Sequence, residues 1–449
     1  MRLPTLSPYD VDSLTFARKE RIGNTRLFVG REEELNSLIK WALQIPREMS
    51  KSNALLARRK KGKTAILERM FNYIYTLNTN LVPFYFEVKE DDVWINHFAE
   101  DFYRGFVSQY LGFKLKNLSL IRKPPEFAKL KELSRQNQLT VLEEDINAFE
   151  NLSKRKDAGP LMWHHAAAAP QAIASVTGDF ILQIIDEFQF LNSKIFLDKK
   201  LKQKKEDIPG IYLSVAESKV APILAAGSWV GWLMSIIRLQ LPARFTRQTL
   251  PNFKPEEGLH AVVNYSNISD VPVTDETACL INRLCYSDPF YISAVIRSQY
   301  KQKDLTTPGG VLKTLEYEVL SPQGDIHNTW LEYIQKSISQ VNDKYARKII
   351  LFLLKNPGKE WSSEALREEL KLPYKDKNLH LKLDALEKGD LILEGSTLFS
   401  YRGVTDEIFE KVVRHKFGDQ IEKIPQELEN RLKEENKRLR GKLNYYKGL

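Results

Sequence analysis

Two short stretches of this chain carry the residue types that could together manage a nucleoside triphosphate. The first, Ala57-Arg58-Arg59-Lys60-Lys61-Gly62-Lys63-Thr64, follows the pattern G-x-x-x-x-G-K-[ST] at three of its four defining positions, with alanine in place of the first glycine. In such a loop backbone amides wrap phosphate oxygens, the lysine reaches the terminal phosphates and the hydroxyl ligates magnesium. This assigns Ala57 to Thr64, with Ala65 behind them, to the phosphates of ATP, and Thr64 to Mg2+. The second stretch, Ile181-Leu182-Gln183-Ile184-Ile185-Asp186-Glu187, is an apolar run delivering two adjacent carboxylates. There an Asp helps hold magnesium and a following Glu orients or deprotonates the attacking water. Each stretch alone has a plainer reading, a basic surface turn for the first and a helix cap for the second. Their combination specifies the chemistry.

Two further candidates complete the set. Ser228, after Ala225-Ala226-Gly227, could reach a terminal phosphate or the water from a neighbouring strand, or lie in a simple turn. Arg244, in Leu241-Pro242-Ala243-Arg244-Phe245-Thr246-Arg247, could bring a positive charge to phosphate in cis or across a subunit boundary, as could Arg247. Either arginine also suits an exposed surface pair.

These residues need strands that end at one edge. Residues 53–57 form a short apolar run before the basic loop, and helical spacing resumes over 64–75, giving strand, loop, helix. Further runs of strand length lie at 81–88, 180–185, 220–226 and 248–253, separated by segments of helical character. Strands alternating with helices predict a parallel α/β sheet. Two insertions interrupt the alternation, 116–158 and 193–209, the second carrying Lys199, Lys200, Lys202, Lys204 and Lys205. Such a run is either a solvated loop or a phosphate-contacting patch. Ahead of the loop, Phe28-Val29-Gly30-Arg31-Glu32 opens an amphipathic helix with acids in its first turn.

Beyond the sheet, residues 274–300 read as helical, broken at Asp288-Pro289, as a small lid would be. Residues 345–355 predict a helix, Ser362-Ser363-Glu364 opens a second and 378–388 forms a third. Runs at 391–394 and 398–402 then bracket Gly395-Ser396 as a hairpin, so three helices and a hairpin predict a winged helix. The expected fold is an α/β P-loop NTPase parallel sheet (1–265) with a helical lid (266–340), followed by a winged-helix domain (341–415) and a C-terminal helical extension (416–449).

Bulk properties agree. At 449 residues the chain exceeds one ordinary core. The 67 Lys and Arg against 58 Asp and Glu favour an acidic partner without identifying one. Cys279 and Cys285, six residues apart, read as buried thiols of a reducing cytoplasm, and no stretch of eighteen apolar residues predicts a membrane span.

In this order, Phe28-Val29-Gly30-Arg31-Glu32, the basic loop, Asp186-Glu187, Gly227-Ser228 and the Arg244 segment resemble the archaeal-type P-loop ATPases related to the AAA+ and STAND families, over about residues 20 to 415. The resemblance implies that Val29, Gly30 and Arg31 cradle the adenine and that Pro289, in Asp288-Pro289-Phe290-Tyr291, leans on the nucleotide from the lid. It also implies ATP hydrolysis whose nucleotide state moves the winged helix, with double-stranded DNA as its target through Lys377, His380, Lys382 and Lys388, or, since Asp384, Glu387 and Asp390 dilute that surface, a protein partner instead. Self-association fits the same family. Some relatives continue into a nuclease-like domain, and the apolar ending Asn444-Tyr445-Tyr446-Lys447-Gly448-Leu449 leaves room for one beyond this chain. The alternative is a nucleotide-binding switch or interaction scaffold with little or no turnover. The altered first glycine favours the alternative, and the intact Lys63, Thr64, Asp186 and Glu187 favour hydrolysis.

Overall fold

The computed structural model describes residues 6–205, 208–341, 344–397 and 399–417. The expected C-terminal extension therefore lies outside the described residues from position 418 onward. The chain divides into two compact units between Phe253 and Lys254. The boundary drawn from the sequence, at 265, falls inside a helix that begins at Pro255, so the break coincides with the proline and not with the later change in apolar spacing.

In the first unit α1 (Glu32–Ala42) precedes β1 (Asn53–Leu56), α2 (Lys63–Leu77) and β2 (Leu81–Glu87). A short strand, β3 (Val93–Trp94), leads into α3 (Ile95–Lys114). The first insertion folds as α4 (Leu118–Arg122), α5 (Phe127–Gln136) and α6 (Thr140–Ser153), ahead of α7 (Gly159–Thr177). Then come β4 (Phe180–Asp186), β5 (Ile195–Phe196), α8 (Tyr212–Val215), β6 (Ile223–Gly227), α9 (Val230–Gln240) and β7 (Thr246–Thr249). Five strands make one parallel sheet in the order β2-β4-β6-β1-β7, while β3 and β5 pair separately.

The sequence of β4 explains its central place. A strand covered on both faces reads as a near-continuous apolar run, and its one interior polar residue, Gln183, is satisfied by donating to the Ala221 carbonyl at 2.7 Å. Two strands differ from their expected bounds by more than one residue. The run at 248–253 is displaced to Thr246–Thr249, because the ladder continues only through the Leu250 amide, bonded to the Leu56 carbonyl at 2.8 Å, and Pro251 has no N–H to extend it. The run at 220–226 starts at Ile223 after Pro222, whose carbonyl still accepts from Gln183 at 3.2 Å.

Aromatic residues seal β2 against α3 and α7. Phe84 meets Phe102 edge-on at 5.2 Å between centroids, and Phe98 lies 4.9 Å from the buried ring of Trp163. Truncating a ring of this kind typically costs about 3–5 kcal/mol. On its other side α2 is covered by the segment before α1. Arg69 and Glu20, both fully buried, pair at 2.7 and 2.9 Å, and Arg69 also donates to the carbonyls of Pro8 and Thr25.

The second unit opens with α10 (Pro255–Ile268), α11 (Asp275–Leu284), α12 (Pro289–Ile296), α13 (Pro308–Leu320) and α14 (Asp325–Val341). Then follow α15 (Lys344–Lys355), β8 (Trp361–Ser362), α16 (Ser363–Leu370), α17 (Asp376–Lys388), β9 (Leu393–Glu394), β10 (Ser400–Arg402) and α18 (Glu407–Phe417). The Ser362 hydroxyl caps α16 by accepting from the Ala365 amide at 3.1 Å. The hairpin expected over 391–402 pairs Glu394 with Tyr401, and β8 joins as a third antiparallel strand. Both cysteines are free, but only Cys285 is buried. Cys279 sits at the margin of the α11 apolar face and is half-buried, so one of the two expected buried thiols is not. No helix among the described residues is long and apolar enough to cross a membrane.

Candidate active site

Ligands of open α/β sheets bind beyond the carboxyl ends of the strands, and three adjacent strands end in the residues singled out from the sequence. The chain leaves β1 into the loop 57–62, leaves β4 at Asp186 and leaves β6 at Gly227. Parallel pairing aligns these ends, and the side chains meet.

Asp186 is fully buried and accepts from four donors. Lys63 Nζ and the Glu187 amide (2.8 Å) reach Oδ1, while Thr64 Oγ1 (2.9 Å) and the Tyr85 hydroxyl (3.1 Å) reach Oδ2. Glu187 receives Lys63 Nζ on Oε1 at 3.1 Å, and Gln189 Nε2 (2.5 Å) and Ser228 Oγ (2.8 Å) on Oε2. Burial alone would push the Lys63 ammonium down, but the charges of Asp186 and Glu187 outweigh it and hold it above its ordinary value. Burial likewise opposes ionisation of Asp186, and Lys63 with the hydrogen bonds of Thr64 and the Glu187 amide overcomes it, leaving the carboxyl below its ordinary value. Burial pushes the Tyr85 phenol well up, so it stays a donor.

Backbone conformation supports this geometry. Gly62 (φ +82°) precedes α2 and Lys60 (φ +68°) turns the loop, so the left-handed positions of the loop are 60 and 62. Ala57, 2% exposed at the end of β1, is outside that region, and its Cβ meets no backbone penalty. The departure from the glycine pattern is thus sterically mild. Beyond Gly62, the amides of Lys63, Thr64 and Ala65 open a fifteen-residue helix, an anion-favouring terminus. Glu187 itself is left-handed (φ +54°), which turns its carboxylate back toward Lys63 and Ser228. Gly227 is small for a reason, since a Cβ there would stand 2.1 Å from the Gln189 side-chain oxygen.

The remaining expected residues are placed as follows. Val29 and Gly30 (φ +66°) lie before α1, and the Gly30 carbonyl accepts from Tyr9 at 2.7 Å. Arg31 is 3% exposed. Its guanidinium donates to the carbonyls of Pro251 and Lys61, lies over the Phe253 ring at 4.7 Å, and thereby ties the loop 57–62 to the chain after β7. Arg58, Arg59 and Lys61 are half-buried, Lys60 is exposed, and Lys61 donates to Asn252. Arg244 is held by Glu217 at 2.9 Å and by the Pro242 carbonyl at 2.8 Å, apart from the Asp186 and Glu187 set, and Arg247 is exposed on the edge strand β7. Pro289 is in the second unit, at the first turn of α12, where Asp288 caps the helix.

Sequence reasoning missed Tyr85, Gln189 and Asn252. Gln189 lies two residues past Glu187, but Tyr85 is a hundred residues from its partner, and only the β2–β4 pairing brings it there.

No family model and no curated protein matches this chain. Among solved structures it is similar to a Walker-type ATPase of Pyrococcus abyssi, with a TM-score of 0.55 and 14% identity over 89% of this chain and all of that one. Weaker likenesses are to the Aeropyrum pernix ORC2 protein, with a TM-score of 0.45 and 13% identity over 87% of this chain and 97% of that one, and to the Thermotoga maritima RuvB branch-migration motor, with a TM-score of 0.36 and 14% identity over 91% and 100%. The first likeness shows the fold, an α/β P-loop ATPase fold with a helical region after the sheet. The other two are too loose to argue from.

Proposed function

We propose that this chain binds ATP with magnesium and hydrolyses it, as a protein of the AAA+ and STAND-related kind, and that its nucleotide state controls a C-terminal winged helix acting on double-stranded DNA. The observation that carries the reading is the convergence of Lys63, Thr64, Asp186, Glu187 and Ser228 at neighbouring strand ends. Chance would not bring a Gly-Lys-Thr turn and an Asp-Glu pair from 120 residues apart into hydrogen-bonding contact.

Each residue has a role in this reading. Lys63 exchanges its carboxylate partners for the terminal phosphates, and the amides from Gly62 to Ala65 take their oxygens. Thr64 and Asp186 would hold Mg2+. Their hydroxyl and carboxylate oxygens, 2.9 Å apart, are the hard donors that cation takes, and it would neutralise phosphate charge. Glu187 orients the attacking water and accepts its proton, with Ser228 and Gln189 fixing the carboxylate. Arg31 acts as a brace of the loop beside an adenine held at Val29 and Gly30. Arg244 serves a neighbouring copy or a rearranged site.

For the second module, the helices α15, α16 and α17 with the strands β8, β10 and β9 have the composition of a winged helix. Lys377, His380, Lys382 and Lys388 lie on α17, and acidic Asp384 is engaged by Tyr401 at 3.4 Å. The free thiols fit a reducing cytoplasm. One observation favours the second reading, a switch or scaffold with little turnover. Glu187 is bound by three side chains at once, and a carboxylate so engaged does not accept a proton until they release it.

The test is steady-state ATP hydrolysis by the full chain with magnesium, with and without double-stranded DNA, beside Glu187→Gln. Turnover that the variant loses supports the enzyme, and stimulation by DNA supports the winged helix as its target module. Tight binding without turnover supports the switch, and absence of ATP binding refutes both.

A further inference from the structure

Of the donors on Asp186, one comes from neither the phosphate loop nor the strand carrying the carboxylates. The register of β2 sets Glu87 beside Asp186 and Tyr85 beside Ile184, so Tyr85 and Glu87 share the sheet face on which Asp186 emerges. The Tyr85 hydroxyl donates to Oδ2 at 3.1 Å, the same oxygen that accepts from Thr64 at 2.9 Å. Both groups are buried, Tyr85 at 2% exposure and Asp186 at none. Lys63 and the Glu187 amide occupy the other oxygen.

Behind the ring stands a cation. The Arg18 guanidinium lies 3.8 Å from the Tyr85 centroid, and Arg18 Nε is 3.5 Å from the fully buried Glu68 carboxylate. The Arg18 amide donates to Asn72 at 2.9 Å, which anchors this segment on α2. A cation on the ring face draws π density and makes the phenol a stronger donor.

We propose that Tyr85 is a positioning residue that fixes the Asp186 carboxylate for the divalent cation of a bound nucleotide, and that Arg18 braces the Tyr85 ring for that task. The inference rests on the nucleotide reading above. Phosphate would draw Lys63 from Asp186, and the Thr64 oxygen would be free to serve the cation. Tyr85 and the Glu187 amide are then the donors that still hold the carboxylate in place. Hydrogen bonds of this outer kind orient ligating carboxylates, and their loss typically lowers metal affinity about 10- to 100-fold.

The experiment measures binding of a fluorescent ADP analogue to the full chain, first with EDTA and then across a magnesium titration, for wild type, Tyr85→Phe and Arg18→Met. Tyr85→Phe is expected to leave affinity in EDTA within about twofold and to raise the magnesium concentration for half-maximal tightening about 10- to 100-fold. Arg18→Met should shift it the same way by a smaller factor, and keeps the test open if Tyr85→Phe does not fold. An unchanged magnesium dependence in a folded Tyr85→Phe, with only thermal stability reduced, overturns the proposal. Should Tyr85→Phe not fold, an unchanged dependence in Arg18→Met overturns it. Wild type that binds no nucleotide overturns the nucleotide reading and this inference with it.

Discussion

Replacing Asp186 by Asn is expected to tighten nucleotide binding when no divalent cation is present, the reverse of its effect when magnesium is supplied. Lys63 is 5% exposed and bonded to both Asp186 and Glu187, so a phosphate would have to compete with these carboxylates for the ammonium. Hydrogen bonds to charged groups contribute about 1.5–3 kcal/mol. Asn keeps a carbonyl acceptor but loses the charge, and charge-assisted bonds are roughly twice as strong as neutral ones. About half the contact is therefore released, roughly 0.8–1.5 kcal/mol, because Glu187 continues to hold Lys63 at 3.1 Å. At 1.4 kcal/mol per factor of ten this is a gain of about four- to twelvefold. Titrating a fluorescent ADP analogue in EDTA reads the gain directly, and repeating it with magnesium should show the variant weaker than wild type. Equal or weaker affinity in EDTA, with an unaltered melting profile, would refute the idea that Asp186 restrains Lys63.

Glu20→Ala strands the fully buried Arg69 guanidinium and should cost about 3–5 kcal/mol in urea denaturation; a loss below 1 kcal/mol would mean that water reaches the arginine. Gly62→Ala meets no atom within 4 Å, so its cost is backbone strain at φ +82°, about 1–2 kcal/mol, with weaker phosphate binding. A neutral outcome by denaturation and ADP titration would show that the loop turns elsewhere. Burial, ahead of the opposing Arg21 amide and the Arg18 and Arg21 charges, holds the Glu68 carboxyl above its ordinary 4.5, so the folded chain binds this proton more tightly than the unfolded one. Stability from this group is therefore full below pH 4.5 and declines as pH rises through the raised value, and Glu68→Gln should flatten the decline; parallel stability curves against pH would contradict it. Replacing Lys382 and Lys388 by Ala should reduce the salt slope of DNA affinity by about 2, near 0.9 for each lost phosphate contact. An unaltered slope would point to a protein partner.

The parts of the site that were legible in the sequence are those carried by local pattern. Gly62-Lys63-Thr64 lies between an apolar run and a helical spacing, and Asp186-Glu187 ends an apolar strand, so the elements could be read within a window of about ten residues. Tyr85 was hidden because its role depends on which strand lies beside β4, a non-local fact that a continuous apolar run does not encode. The buried charges of Glu20, Glu68 and Arg69 were hidden for another reason. Arg and Glu ordinarily mark solvent, and here Arg69 and Glu20 are buried as a pair, while buried Glu68 accepts from the Arg21 amide and faces the Arg18 guanidinium, under the segment that covers α2. The concern raised by Ala57 came from the motif rather than from conformation, since the left-handed turns fall at Lys60 and Gly62.

Charge pairing closes the site, and this constrains how a ligand enters. One ammonium faces two carboxylates, and the hydroxyls of Thr64, Tyr85 and Ser228 fill the remaining lone pairs. A phosphate that draws Lys63 away leaves Asp186 and Glu187 side by side, the first without exposure and the second 17% exposed. Separating a buried ion pair in this way typically costs about 3–5 kcal/mol, which an anion alone makes worse by adding negative charge. Held by Asp186 and Thr64, a divalent cation bound with the nucleotide would reverse the sign of that term at Asp186. In the proposed reading, cation and nucleotide binding at these residues would therefore be coupled by charge balance alone, and the coupling would be reciprocal. The same reasoning would give Lys63 a second role beside that of the proposed phosphate ligand. Removing it leaves two carboxylates facing each other in the nucleotide-free chain, so Lys63→Ala should lose stability as well as affinity, whereas a Lys63→Ala/Asp186→Asn pair should recover most of the stability and none of the affinity.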